Sequence, residues 1–227
     1  TLTIPLIELR DVNNDDRPDL ISETEERFDV SLANATGDYF PQSPSFSIDR
    51  LEIRERLGNF DVDQLDFSNL TGILALTHEE ILEDVNGDGI DDLLLREGGK
   101  VSLFIGSAGG MDLQKPRQVL RSGGNVLSTF LYDEDEDGLK DLWLWRVESI
   151  SVANIFVWLA LGGIVYIEAF IYPNDGERVA RRPTRKNTVE RKFQSVIRLA
   201  NAVRNIANEA QNRDSDEITP THTANLD

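Results

Sequence analysis

Asp84-Val-Asn86-Gly-Asp88-Gly-Ile90-Asp-Asp92-Leu93-Leu94-Leu95 is the stretch that decides how the rest of this chain is read. Acids or amides alternate at positions 1, 3 and 5, glycine stands at position 6, and a further aspartate at position 9 leads into an apolar run. The pattern occurs twice more. Asp11-Val-Asn13-Asn-Asp15-Asp-Arg17-Pro-Asp19 precedes Leu20-Ile21, and Asp133-Glu-Asp135-Glu-Asp137-Gly-Leu139-Lys-Asp141 precedes Leu142-Trp143-Leu144-Trp145. Leu9, Leu82 and Leu131 each lie two positions before the first aspartate. The first aspartates are 73 and 49 residues apart. Equal motifs at unequal spacing imply one structural unit carrying variable insertions.

Outward from the second motif, the sequence predicts a strand over 92–96, a tight Glu97-Gly98-Gly99-Lys100 turn and a second strand over 101–105. A loop over 106–111 follows, then a third strand at 118–120. A fourth at 126–131 leads into the next motif. Four hairpin-linked strands make the unit of a propeller blade. The expected fold is mainly β: a β-propeller segment of about three four-stranded blades with calcium loops and a few inserted helices, over residues 1–177. The extra length between the first two motifs is expected in an insertion over 47–71, where 48–57 followed by Gly58 reads as a short helix with a glycine stop.

The motif chemistry points to a hard cation. Calcium takes six to eight oxygen ligands, and carboxylates or amides at positions 1, 3 and 5, a carbonyl at 7 and an acid at 9 supply them from one loop. Glycine at position 6 permits the positive φ of the turn. The expected ligands are Asp11, Asn13, Asp15, Asp19 and the Arg17 carbonyl; Asp84, Asn86, Asp88, Asp92 and the Ile90 carbonyl; and Asp133, Asp135, Asp137, Asp141 and the Leu139 carbonyl. The first loop has Asp16 in place of glycine and ranks as the weakest site, although aspartate tolerates left-handed backbone better than most residues. An EF-hand loop needs a glutamate at position 12. Ser22, Leu95 and Leu144 stand there, so that class is excluded. Magnesium, which keeps several waters, fits less well.

These residues resemble the FG-GAP or VCBS repeats, the calcium-loop blades also seen in integrin α-subunit propellers. The likeness is specific over 84–110, good over 133–145, partial over 11–32, and absent from 47–71 and most of 178–223. It implies a seven- or eight-bladed propeller outside the cytoplasm (extracellular, cell-surface or periplasmic) that works in adhesion or ligand recognition. Closing such a ring would need the remaining blades of a longer protein. The opening at Thr1, without an initiator methionine, fits an excised or processed fragment. Leu226-Asp227 resembles the approach to a fourth loop.

Composition narrows the function classes. A net charge of −18 over 227 residues argues against nucleic-acid partners. With no cysteine, disulfides and thiolate sites are excluded; His78 and His222 alone do not make a histidine zinc site. No nucleophile elbow or metalloprotease helix exists, so no catalytic residue is assigned. The uncharged stretch 150–167 is interrupted by Gly162 and Gly163. It predicts a short helix, a glycine turn and a buried strand rather than a membrane span. Trp143 and Trp145 read as packing between blades. Residues 178–227 read as a basic linker, an amphipathic helix over 189–211 and the start of a further repeat. The expected partners are calcium ions and a protein or glycan ligand. A blade segment of a secreted glycan-active enzyme, such as a polysaccharide lyase, is the alternative.

Overall fold

The computed structural model describes residues 4–36, 43–58, 70–122 and 125–195. These hold twelve strands in three four-stranded sheets, each an antiparallel meander. The first sheet contains β1 (Leu6–Arg10), β2 (Asp19–Glu23), β3 (Arg27–Ser31) and β4 (Phe46–Asp49). The second contains β5 (His78–Glu83), β6 (Asp92–Glu97), β7 (Lys100–Phe104) and β8 (Gln118–Arg121). The third contains β9 (Val126–Tyr132), β10 (Asp141–Val147), β11 (Gly163–Tyr172) and β12 (Arg185–Phe193). Helix α1 (Arg50–Leu57) and a 3-10 helix (Leu70–Leu76) follow the first sheet, and α2 (Val152–Leu161) joins β10 to β11.

The sheets pack face to face in chain order. Leu82, Leu93, Leu95 and Phe104 of the second sheet meet Ile21, Phe28, Val30, Phe46 and Ile48 of the first. The opposite face of the second sheet, with Leu94, Val101, Leu103 and Leu120, meets Val126, Leu142, Leu144 and Tyr172 of the third. Every residue of β6 is buried, so Leu93, Leu94 and Leu95 run apolar without alternation between the charged Asp92 and Arg96. The outer sheets each have one face turned away from the second. On the third sheet that face carries Trp143 and Trp145, which are half-buried, with Phe130 stacked on Trp143 at 5.4 Å between ring centroids.

Two expectations are corrected here. The strand over 126–131 was expected as the fourth of the second unit, but β9 pairs with β10 in the third sheet. The acidic loop is the reason: it is an eight-residue hairpin connection, so the strands flanking it pair with each other. Residues 185–193, expected within a basic linker running into a helix over 189–211, form β12 against β11. The helical spacing read further along does not govern these residues. Thr188 and Val189 favour extended backbone, and a charge-rich strand suits a sheet edge, where Lys and Arg discourage pairing with other chains. Residues 196–211 of the expected helix, the 59–69 part of the insertion and Leu226-Asp227 lie outside the described residues.

Other elements follow local rules. Asp49 caps α1 by accepting from the Glu52 N–H, and Gly58 ends it with φ 100°. Ser151 and Asn154 form a reciprocal capping box on α2, and Gly162 ends that helix with φ 84°. Gly163 then starts β11 in the predicted order, but the strand expected to be buried is so only at Ala169, Ile171 and Tyr172, because its first half runs beyond the second sheet's cover. Among the described residues no helix is long and apolar enough to cross a membrane.

Candidate metal centre

Each acidic motif occupies the same place in its sheet, the connection from first strand to second: β1–β2, β5–β6 and β9–β10. The backbone repeats as well. Asn14, Gly87 and Glu136 at position 4 have φ of 57°, 79° and 60°, and Asp16, Gly89 and Gly138 at position 6 have φ of 61°, 85° and 88°. The glycine expectation at position 6 therefore holds as a conformation, and Asp16 adopts it without glycine. Position 4 is a second left-handed residue that the motif did not advertise, because only one loop puts glycine there.

Side-chain hydrogen bonds fold each loop inward. The position-1 carboxylate accepts from the position-6 N–H: Asp11 from Asp16 at 2.8 Å, Asp84 from Gly89 at 2.8 Å and Asp133 from Gly138 at 2.9 Å. The position-5 carboxylate accepts from the position-7 N–H: Asp15 from Arg17 at 3.0 Å, and Asp88 from Ile90 and Asp137 from Leu139, each at 2.8 Å. Asn13 and Asn86 donate through Nδ2 to Asp15 and Asp88.

The aspartate at position 9, expected as a closing ligand, bonds to backbone N–H groups. Asp19, Asp92 and Asp141 are 0%, 0% and 4% exposed. Asp19 accepts from the Val12 N–H at 2.8 Å and the Ala33 N–H at 2.7 Å. Asp92 accepts from Val85 at 3.2 Å and Gly106 at 2.8 Å. Asp141 accepts from Asn174 at 2.9 Å and from the Glu134 N–H. In every case one donor is position 2 of the loop and the other lies two residues past the third strand. The closing acid thus pins loop, second strand and third strand together. Those second donors carry no sequence signal, since Ala33, Gly106 and Asn174 share no chemistry beyond a backbone N–H.

Among the described residues one group of carboxylates could hold a cation. Asp133, Asp135 and Asp137 each offer a carboxylate oxygen, and the three atoms lie within 4.8 Å of one another, close enough to hold a metal ion. Asp133 Oδ1 is buried without a hydrogen-bond partner, and so is Oδ1 of Asn13, a residue only 5% exposed. Burial pushes the Asp92 carboxyl up to about 6, against the pull of its two N–H donors, with Asp88 and Asp84 adding repulsion. Burial likewise raises Asp141, and Asp135 and Asp137 add to it. The first loop differs electrostatically: the Arg17 guanidinium turns back onto Asp15 at 2.5 Å.

The loops also touch. The Asp91 N–H donates to the Val12 carbonyl at 2.8 Å, and Asn174 Nδ2 donates to the carbonyls of Val85 at 2.6 Å and Lys140 at 3.2 Å. Lys140 pairs with Glu83 at 2.5 Å, and Arg10 pairs with Asp91. All three acidic turns therefore sit together at one end of the stacked sheets.

No known protein-family model matches the chain, and no curated protein matches it. Among solved structures it is similar to an Agrocybe aegerita lectin solved for its specific recognition of non-reducing terminal N-acetylglucosamine. The TM-score is 0.36 and the identity 15%, over 82% of this chain and 52% of that one. The chain thus spans about half the length of that lectin, and at this TM-score the likeness supports no reading of fold or ligand.

Proposed function

We propose that this chain is a calcium-binding segment of a β-propeller, serving as a recognition or scaffolding module of a surface or secreted protein. The observation that carries the reading is the threefold recurrence of one loop, at one place in the sheet, with the same left-handed positions and inward-folded carboxylates. Solvated acidic turns have no reason to share all of these. The blade reading is supported by three meanders packed face to face in chain order, with the middle one covered on both sides. Propellers close with four to eight blades, so this segment works with further blades. Its partner is a protein or a glycan.

Calcium in this reading is structural. It offsets the burial that raises Asp92 and Asp141 and the smaller repulsion from their neighbouring carboxylates, and folding and binding are then linked. At about a hundred times the dissociation constant, the ion stabilises the fold by roughly 2.7 kcal/mol. For a domain of this size that is about 5–11 °C in Tm. Thermal melts in calcium, magnesium and chelator test it. The largest shift is expected in calcium, and three identical curves would end the metal reading.

A further inference from the structure

We propose that the position-1 aspartates protect their own loops from spontaneous modification, Asp84 shielding two labile junctions and Asp133 one. An asparagine or aspartate followed by glycine is where a chain rearranges most readily. The glycine nitrogen attacks the side-chain carbonyl carbon and closes a succinimide ring. Asparagine loses ammonia in that step, and aspartate, as its acid, loses water. A water molecule then opens the ring at either carbonyl, leaving aspartate or isoaspartate. Glycine favours the step because it has no Cβ to hinder its nitrogen or restrict the backbone rotation that brings the nitrogen in. The chain has four such junctions: Asn86-Gly87, Asp88-Gly89, Asp137-Gly138 and Asp175-Gly176. Three lie in the acidic loops, and the backbone explains why. Gly87, Gly89 and Gly138 have φ of 79°, 85° and 88°, left-handed values that glycine takes without strain. Alternating acids and amides with left-handed residues between them produces these pairs. Asp88, Asp137 and all three glycines are solvent-exposed, so water reaches them.

The attacking nitrogens of all three junctions are held. Asp84 Oδ1 accepts from the Gly87 N–H at 2.7 Å, and its Oδ2 accepts from the Gly89 N–H at 2.8 Å. One carboxylate thus holds both nitrogens of the second loop. Asp133 Oδ2 accepts from the Gly138 N–H at 2.9 Å. An amide nitrogen attacks only as it gives up its proton. An N–H donated to a carboxylate keeps that proton, because the bond favours the donating form and the neighbouring negative charge disfavours an anionic nitrogen. The first loop makes the contrast. Asp11 accepts from the Asp16 N–H in the same way, but with Asn14 and Asp16 at positions 4 and 6 that loop contains no labile junction. An isoaspartate at position 3 or 5 adds a carbon to the main chain of a connection that Asp92 pins to Val85 and Gly106. A second loop that has opened long enough to react therefore does not close again as before.

Long incubation of the full chain in mildly alkaline buffer with chelator tests the proposal, and the chelator keeps metal ligation out of the result. Peptide mapping by mass spectrometry reads Asn86, and isoaspartyl methyltransferase labelling reads Asp88 and Asp137. Wild-type protein is expected to react at Asn86 about tenfold or more slowly when folded than in urea, the factor that one hydrogen bond to a charged acceptor is worth. Asp84→Ala should bring the folded rate at Asn86 and Asp88 close to the urea rate and leave Asp137 unchanged. Asp133→Ala should do the reverse. That crossed pattern separates local protection from a general loss of stability, and circular dichroism verifies that the variants fold. Asp84→Asn keeps one acceptor oxygen and should release one junction of the two; it carries the test if the alanine variant does not fold. Equal rates for wild type folded and in urea overturn the proposal. So does an Asp84→Ala rate no faster than wild type, or a rise in both loops in both alanine variants.

Discussion

Replacing Asp19 by alanine separates clamp from ligand at position 9. Its carboxylate is wholly buried and accepts two backbone N–H groups, from Val12 and Ala33. Each buried donor left without a partner costs about 1–3 kcal/mol, so the pair costs roughly 2–6 kcal/mol. At 2–4 °C per kcal/mol that is about 4–24 °C in Tm. The melt is run in chelator, where metal ligation contributes nothing. Asp15→Ala in the same loop is the comparison: Asp15 is more open, and its pair with the 39%-exposed Arg17 side chain is worth about 0–1 kcal/mol. Asp19→Asn keeps one acceptor oxygen and should fall between the two, which guards against an alanine variant that does not fold. Equal costs for Asp19→Ala and Asp15→Ala in chelator, or an Asp19 cost that appears only with calcium, would refute the clamp.

Three further outcomes are expected. Arg17→Gln removes the guanidinium that sits on Asp15, so calcium should bind the first loop more tightly, up to about fivefold; calorimetry showing no gain would mean that the arginine does not compete. Asp92 should titrate near 6 in metal-free protein and lower in calcium. Since the folded value lies above the ordinary 3.8, its contribution to stability is full below 3.8 and is lost as pH rises through 6. That is worth up to about 3 kcal/mol, and carboxyl NMR showing an ordinary Asp92 would contradict it. Gly98→Ala should cost more than the 1–3 kcal/mol of backbone strain alone, because φ is +56° and the new Cβ falls 2.4 Å from the Ala75 carbonyl oxygen; denaturant melts measure the loss.

Much of the fold could be read locally. The tight Gly98-Gly99 turn, the Gly58 stop of α1 and the helix-glycine-strand order around Gly162 are each set by neighbours in sequence, and each stands as expected. What failed depended on distant partners. Whether β9 joins the second sheet or the third is decided by pairing across the acidic loop. The 185–193 segment becomes a strand because β11 offers an open edge, which no periodicity within the segment reveals. In the candidate site, the acids and amides at positions 1, 3 and 5 were legible because the same alternation recurs in all three loops. The clamp made by Asp19, Asp92 and Asp141 was not, since their partners are main-chain groups. Arg17 was noted only for its carbonyl, while its side chain proves to be the feature that sets the first loop apart.

Eight residues join the first strand to the second in all three sheets, and this constancy has a practical side. A connection pinned by one aspartate to two neighbouring strands has no slack, so a single added residue there would unseat two donors at once. The opposite end is permissive: one strand pair is joined by the Gly98-Gly99 dipeptide, another by all of α2. Epitopes, tags or whole domains should therefore be grafted at the α2 end. A library of random insertions scored by survival would find its tolerated positions there, with three bare gaps at 11–19, 84–92 and 133–141.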